Sequence, residues 1–411
     1  MRPNRLALFL IAAMATQATL AAPADTAAAP LPPVPESARQ LAREALIVDT
    51  HIDAPSELVD AWRDLGHSVP DREFDYPRAR SGGLDIAFMS IYSSAAQDED
   101  DSAWAVANRQ IDAIEALVQR HPDRFALLRS PADAGRLAAG GRVLLPLGME
   151  NGGPIGEDLA QLQFFFDRGI RYITLAHGNN NAIADSSYTA EKRWNGLSPF
   201  GREVIDGMNR LGIIVDVSHL GDASALEAIG RSRVPAMASH SAFRHFTPGF
   251  ERNISDEVAR ALAARGGVVQ VPFGSAFINP EMAADTLAYF VAVADFHRAN
   301  RERAAAGQPE RDLAAFVAEW KAAHPPRATE MAAVLDQIDY GVKLLGIDHI
   351  GIGSDFDGVD GNLPEGLRTV ADFPRLVAGL QARGYSDADI RKILGGNLMR
   401  VWRAVEAGAG R

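Results

Sequence analysis

Residues 213–240 open with Ile213-Ile-Val-Asp-Val-Ser-His219 and close with Val234-Pro-Ala-Met-Ala-Ser-His240. Two short apolar runs each stop at a histidine, and residues 222–232 between them have helical spacing. Such runs read as buried parallel strands, and strand, helix, strand is one βα repeat. The two histidines lie 21 residues apart, so they should be neighbours on adjacent strands.

The same pattern extends in both directions. Strands are expected over 46–50, 84–92, 142–150, 171–177, 213–219, 234–240, 267–273 and 349–355. Helical spacing is seen over 103–120, 158–168, 199–211, 222–232 and 255–265. This alternation predicts an α/β chain with a parallel sheet and right-handed crossovers. Eight units predict closure into a single (β/α)8 TIM-type barrel over residues 38–411. A helical insertion, about 279–330, separates the seventh and eighth strands, with helices near 280–303 and 312–323. It reads first as an elaborated crossover outside the barrel and second as a lid or subunit contact. Residues 387–406 read as a final helix covering the barrel.

Bulk properties bound the function. The chain has 411 residues, is 47% hydrophobic and carries a net charge of −12. It has no lysine-rich stripe, so nucleic acid and anionic membrane are poor partners. It has no cysteine, which excludes disulfides, thiolate zinc sites, a cysteine nucleophile and a lipoprotein anchor. Residues 1–24 combine a basic start, a short apolar stretch and an alanine-rich end, the pattern of a secretory signal peptide. Residues 25–37 read as a flexible leader. The expectation is a secreted, periplasmic protein with no membrane anchor.

The chemistry sits where the apolar runs end. His51 and Asp53 close the first run as His-x-Asp, and alternation along a strand puts both on one face. Glu150 closes the third, where a carboxylate is hard to bury without a cation or donors. His219 and His240 could ligate one divalent ion. His177 could be a ligand or a donor to a substrate carbonyl. Asp355, at the end of the eighth run, is placed to shuttle a proton, whereas Asp357 reads equally well as a turn residue. Each residue alone has a plainer reading as a satisfied histidine, a cap or an ion pair. Four of the ten histidines ending strands on the same side, together with three acids, point to a metal site. The only lysines are Lys192, Lys321, Lys343 and Lys392, and none ends a strand. A lysine-derived bridge is therefore absent, and Glu150 is the better bridge if the site is dinuclear.

The stretches Asp49-Thr-His-Ile-Asp-Ala-Pro55, Gly148-Met-Glu-Asn-Gly-Gly153, Tyr172-Ile-Thr-Leu-Ala-His177, Val215-Asp-Val-Ser-His219, Ser239-His-Ser241, Arg252-Asn253, Ile338-Asp-Tyr340, residues 351–358 and Gly396-Asn-Leu398 resemble, in order, the membrane dipeptidase (renal dipeptidase) family of zinc metallopeptidases. The resemblance implies a metal-dependent hydrolase barrel with two Zn2+ per chain. His51 and Asp53 would hold one ion, His219 and His240 the other, and Glu150 would bridge them. His177 would bind substrate and polarise the tetrahedral intermediate. Arg252 would take the substrate carboxylate, and Asp355 would meet its amino group and handle protons.

The activity so implied is dipeptide hydrolysis by a metal-bridging hydroxide. The family often accepts a D-residue at the C-terminal position, some members open β-lactams, and a homodimer is common. Unlike the mammalian members, this chain lacks cysteines and a lipid-anchor signal, has a longer insertion, and carries Gly274 where they have a tyrosine. The alternatives are another binuclear amidohydrolase or lactonase on the same barrel, and a non-catalytic secreted zinc-binding protein.

Overall fold

In the computed structural model, which describes residues 31–325 and 327–410, the parallel strands are short and the helices lie outside them. The expected signal peptide, residues 1–24, falls outside the described residues. Residues Val34–Arg411 form one compact unit. No described helix is long and apolar enough to cross a membrane.

The strands are β1 (Ile47–Ile52), β2 (Leu84–Tyr92), β3 (Phe125–Leu127), β4 (Val143–Leu145), β5 (Leu147–Glu150), β6 (Ile170–Thr174), β7 (Ile214–Asp216), β8 (Met237–Ala238), β9 (Val268–Val271) and β10 (Ile350–Ile352). They pair in parallel in the order β1-β2-β5-β6-β7-β8-β9-β10. The expected strand 142–150 is broken at Pro146, which has no N–H to give to a ladder. Both halves still pair with β2, and the Pro146 carbonyl accepts from Met89 N at 2.9 Å. β3 was not expected; it adds to the outer edge of β4.

β1 meets the segment that follows β10, where Ile52 and Phe356 form an isolated parallel bridge. Asp53 N donates to Phe356 O at 2.9 Å and Asp355 N to His51 O at 3.1 Å. Side chains reinforce this thin seam. Thr50 Oγ1 donates to Ile352 O at 3.0 Å and to Ser239 O at 2.6 Å. Ser354 N donates to Asp49 Oδ1 at 2.9 Å.

Inside the ring, Val48, Ile86, Phe88, Leu144, Tyr172, Ile214, Met237 and Val268 pack together. The final helix, Asn397–Gly408, plugs the end where the strands begin, with the Trp402 ring 5.1 Å from that of Phe88. A barrel filled this way is a packed core, so only the end where the strands finish is open to chemistry. Outward-facing residues such as Ile173, Val215 and Val269 join the larger core beneath the helices.

Candidate active site

Several strands stop short of the expected histidines. His177 and His219 each lie three residues past their strands, β6 and β7, and His240 lies two past β8. Buried acids interrupt the ladder there. Asp216 Oδ1 accepts from Ser218 N at 3.0 Å and Ser239 N at 2.8 Å, while its Oδ2 accepts from Thr174 Oγ1 and Ser239 Oγ at 2.5 and 2.6 Å. Asp49 does the same at the seam, taking His51 N and Ser354 N. The chain then turns through left-handed backbone at Asn151 (φ 76°), His219 (φ 66°) and Asp355 (φ 66°). Non-glycine residues rarely adopt this conformation, and such costs concentrate at functional sites.

The result is one buried cluster centred on Glu150, whose two oxygens face different neighbours. Oε2 lies 3.4 Å from His51 Nε2. Oε1 lies 3.0 Å from His219 Nε2, 3.2 Å from His240 Nε2 and 3.6 Å from His177 Nε2. His51 Nε2 is 3.4 Å from Asp53 Oδ2 and 4.0 Å from Asp355 Oδ1. The Nε2 atoms of His219 and His240 face each other at 2.8 Å.

This donor set fits divalent metal. His51 Nε2 is buried without a hydrogen-bond partner. Imidazole nitrogens and carboxylate oxygens converge from three sides, and groups of three within 4.8 Å of one another include His51, Asp53, Asp355 and Glu150, His177, His219. A glycine makes room: a Cβ at Gly358 would sit 2.2 Å from Asp53 Oδ2 and 2.5 Å from Asp355 Oδ1.

The electrostatics follow from crowding. Burial opposes ionisation of Glu150, but the imidazoles of His51, His177, His219 and His240 hold its carboxyl well below the usual range. Burial, with Arg252 adding to it, keeps His219 and His240 well below the ordinary histidine value, in the neutral form that ligates. Burial raises Asp355 well above the carboxylate range, and the charges of Asp53 and Glu150 add to this against the pull of His51.

Arg252 stands beside the cluster. It is 2% exposed, and among the described residues no carboxylate lies within 4.0 Å of its guanidinium. Its Nη2 donates to His240 O at 2.8 Å, its Nη1 to Ser241 Oγ at 3.1 Å, and its Nε has no partner. A buried cation without a counter-charge is costly, and a bound anion would relieve it. Arg252 lines a cavity of about 790 Å³ together with Tyr188, Phe250, Leu287, Phe290 and Val291.

All the expected residues therefore meet, except Asp357, which turns away to accept from Glu73 N at 2.8 Å. Three contributors went unread in the sequence. Tyr172 places its hydroxyl 2.9 Å from His51 Nδ1, and its ring fits only because residue 148 is glycine: a Cβ there would lie 2.0 Å from the ring. Ser239 Oγ holds His240 Nδ1 at 2.8 Å. Tyr188 hangs from the loop after β6; its ring centre is 6.4 Å from that of His177. Ser239 could have been found, since it directly precedes a candidate ligand; a tyrosine inside an apolar run reads only as core.

The sequence profile described as membrane dipeptidase (peptidase family M19) matches residues 35–411. Dipeptidase ataJ of Aspergillus terreus is 31% identical over 402 residues, covering 90% of this chain and 87% of that protein. Dipeptidase tcpJ of Claviceps purpurea is 29% identical over 81% of this chain and 69% of its own length. Among solved structures, the probable dipeptidase PvdM from Pseudomonas aeruginosa superposes with a TM-score of 0.78 at 28% identity, over 91% of this chain and 98% of that one. A metallopeptidase from Rhodobacter sphaeroides, solved with a phosphinate mimic of the dipeptide L-Ala-D-Ala, shares the fold with a TM-score of 0.71 at 23% identity, over 88% of this chain and 99% of that one.

Proposed function

The chain belongs to the membrane dipeptidase family of metallopeptidases, and from that membership we propose that it hydrolyses dipeptides with two zinc ions at the Glu150 cluster. His51 and Asp53 would hold one ion, His219 and His240 the other, and Glu150 would give one oxygen to each. The opposed directions of Oε1 and Oε2 support this division. Bound there, the ions would supply Lewis acidity and a water ionised near neutral pH.

The observation that carries the substrate reading is Arg252, a buried guanidinium with no acid partner among the described residues, at the wall of the cavity. A dipeptide's terminal carboxylate matches its fork of donors. His177, the most exposed imidazole of the cluster with its side chain 21% accessible, would donate to the oxyanion as the scissile carbonyl is attacked. Asp355, on the opposite side next to His51 and Asp53, would meet the substrate amino group and carry the proton from the attacking water to the leaving amine. Clamps at both ends limit the substrate to two residues. Acceptance of a D-residue at the C-terminal position belongs to this same reading.

The test is hydrolysis of a panel of L-L and L-D dipeptides by zinc-loaded protein. Asp355→Asn should lower kcat by about 10²–10⁴-fold while zinc content stays constant. Arg252→Ala should cost about 1.5–3 kcal/mol of kcat/KM, the worth of hydrogen bonds to a charged group. Turnover of a lactone with no dipeptide cleavage, undisturbed by Arg252→Ala, would replace this reading with the lactonase one.

A further inference from the structure

We propose that the insertion helix Pro280–Ala305 is the specificity element of this site, and that it selects dipeptides whose C-terminal residue carries a large apolar side chain. This rests on the dipeptidase reading above and goes beyond it by naming the substrate class.

The helix presents two faces. Met282, Thr286 and Tyr289 recur at helical spacing and border a second, aromatic cavity with Trp320, whose ring centre is 5.8 Å from that of Tyr289. This face packs the insertion onto itself. Leu287, Phe290 and Val291 lie on the other face and line the Arg252 cavity. The Phe290 ring is 4.2 Å from that of Tyr188, which in turn is 5.9 Å from His219. Tyr188 thus links the insertion to the catalytic cluster.

Leu287 is 45% exposed and Val291 57%, the two most exposed large apolar residues among those described. Gathered at one wall of a cavity with Phe290, they are apolar surface waiting for a partner. The partner follows from Arg252. A carboxylate on that guanidinium belongs to the C-terminal residue, whose side chain branches from the very next carbon. It would then enter the cavity whose apolar wall is Tyr188, Phe250, Leu287, Phe290 and Val291 and whose remaining lining includes Glu191, Glu251, Asp295 and Arg301. Phenylalanine or leucine would bury its side chain there; glycine would leave the wall wet, and aspartate would be desolvated against it.

The experiment compares kcat/KM for alanyl-phenylalanine, alanyl-leucine, alanyl-glycine and alanyl-aspartate, the last residue in whichever configuration is cleaved. The zinc-loaded enzyme should prefer the first two over glycine by on the order of tenfold or more. Phe290→Ala should erase most of that preference through KM, and leave alanyl-glycine within about twofold. Phe290→Leu should keep most of the preference, and the surface variant Val291→Asp should lower phenylalanine and leucine turnover selectively. Equal losses on alanyl-glycine and alanyl-phenylalanine would mean a merely structural helix and overturn the inference, as would rapid alanyl-glycine cleavage without apolar preference in the unmodified enzyme. Cleavage of no dipeptide at all would remove the underlying reading and this inference with it.

Discussion

The floor and the rim of the barrel mouth are built on opposite principles. On the floor, each metal-binding candidate is buried and sits within a few residues of a strand end. His51 and His240 are each held from behind, through Nδ1, by Tyr172 and Ser239. Asp49 and Asp216 tie neighbouring strand ends through backbone N–H groups. The rim is one helix of an insertion, with Leu287 and Val291 open to solvent and Phe290 resting on a loop tyrosine. Chemistry needs donors fixed to fractions of an ångström, which strands and second partners provide. Selectivity among side chains needs only apolar area at the right place, which an insertion can supply without disturbing the barrel.

If that division is right, floor and rim variants should fail differently. The largest effect should come from Glu150→Gln. It removes the charge both imidazole groups share, so zinc should fall below two per chain and activity should drop by more than the ~10²–10⁴-fold of a lost proton carrier. Full zinc content in that variant would break the bridging assignment. Tyr172→Phe should come next. It leaves His51 Nδ1 without its partner, and loss of such an orienting contact typically weakens metal affinity by about 10–100-fold. Measured by zinc competition with a chelator, an unchanged affinity would mean that the floor does not depend on its supporting contacts. Neither variant should alter the ranking of C-terminal side chains, which belongs to the rim.

The same division explains what could be read from the sequence. The floor was legible because an apolar run that ends in an imidazole or carboxylate has few other uses, and parallel topology gathers all such ends at one face. His51, Asp53, Glu150, His177, His219, His240 and Asp355 all followed from that rule. Its limit was the backbone: the left-handed turns at His219 and Asp355 follow buried acids, Asp216 and Asp49, that accept from amides of other strand ends, which no local pattern reveals. The rim was not legible. Along residues 280–305 apolar side chains fall on both faces, one packing against Trp320 and one facing the cavity, so no single stripe marks a working side. Tyr188 was hidden for a different reason: its loop is shaped by Asp185, whose carboxylate accepts from the N–H groups of Arg193, Trp194 and Gly196.

The smallest expected effect tests the border of the floor, where residues 71–75 meet the loop after β10. Glu73 N donates to Asp357 Oδ1 at 2.8 Å, and Asp357 N donates back to a Glu73 carboxylate oxygen. Burial pushes Glu73 up to about 7 from an ordinary value of 4.5, with the Asp357 charge adding to it. A carboxyl whose value is raised by folding is favoured in its neutral form. The stability it contributes is complete below 4.5 and is lost as pH rises through 7. Glu73→Gln keeps an oxygen to accept from Asp357 N and cannot ionise. In zinc-saturated protein it should therefore match the unmodified chain near pH 4.5 and exceed its Tm by about 2–4 °C at pH 8, the shift of roughly 1 kcal/mol in a domain of a few hundred residues. Dipeptide ranking should not move. A Tm difference that is the same at both pH values would mean that this clasp carries charge without cost, and that the floor's burial ends before residue 73.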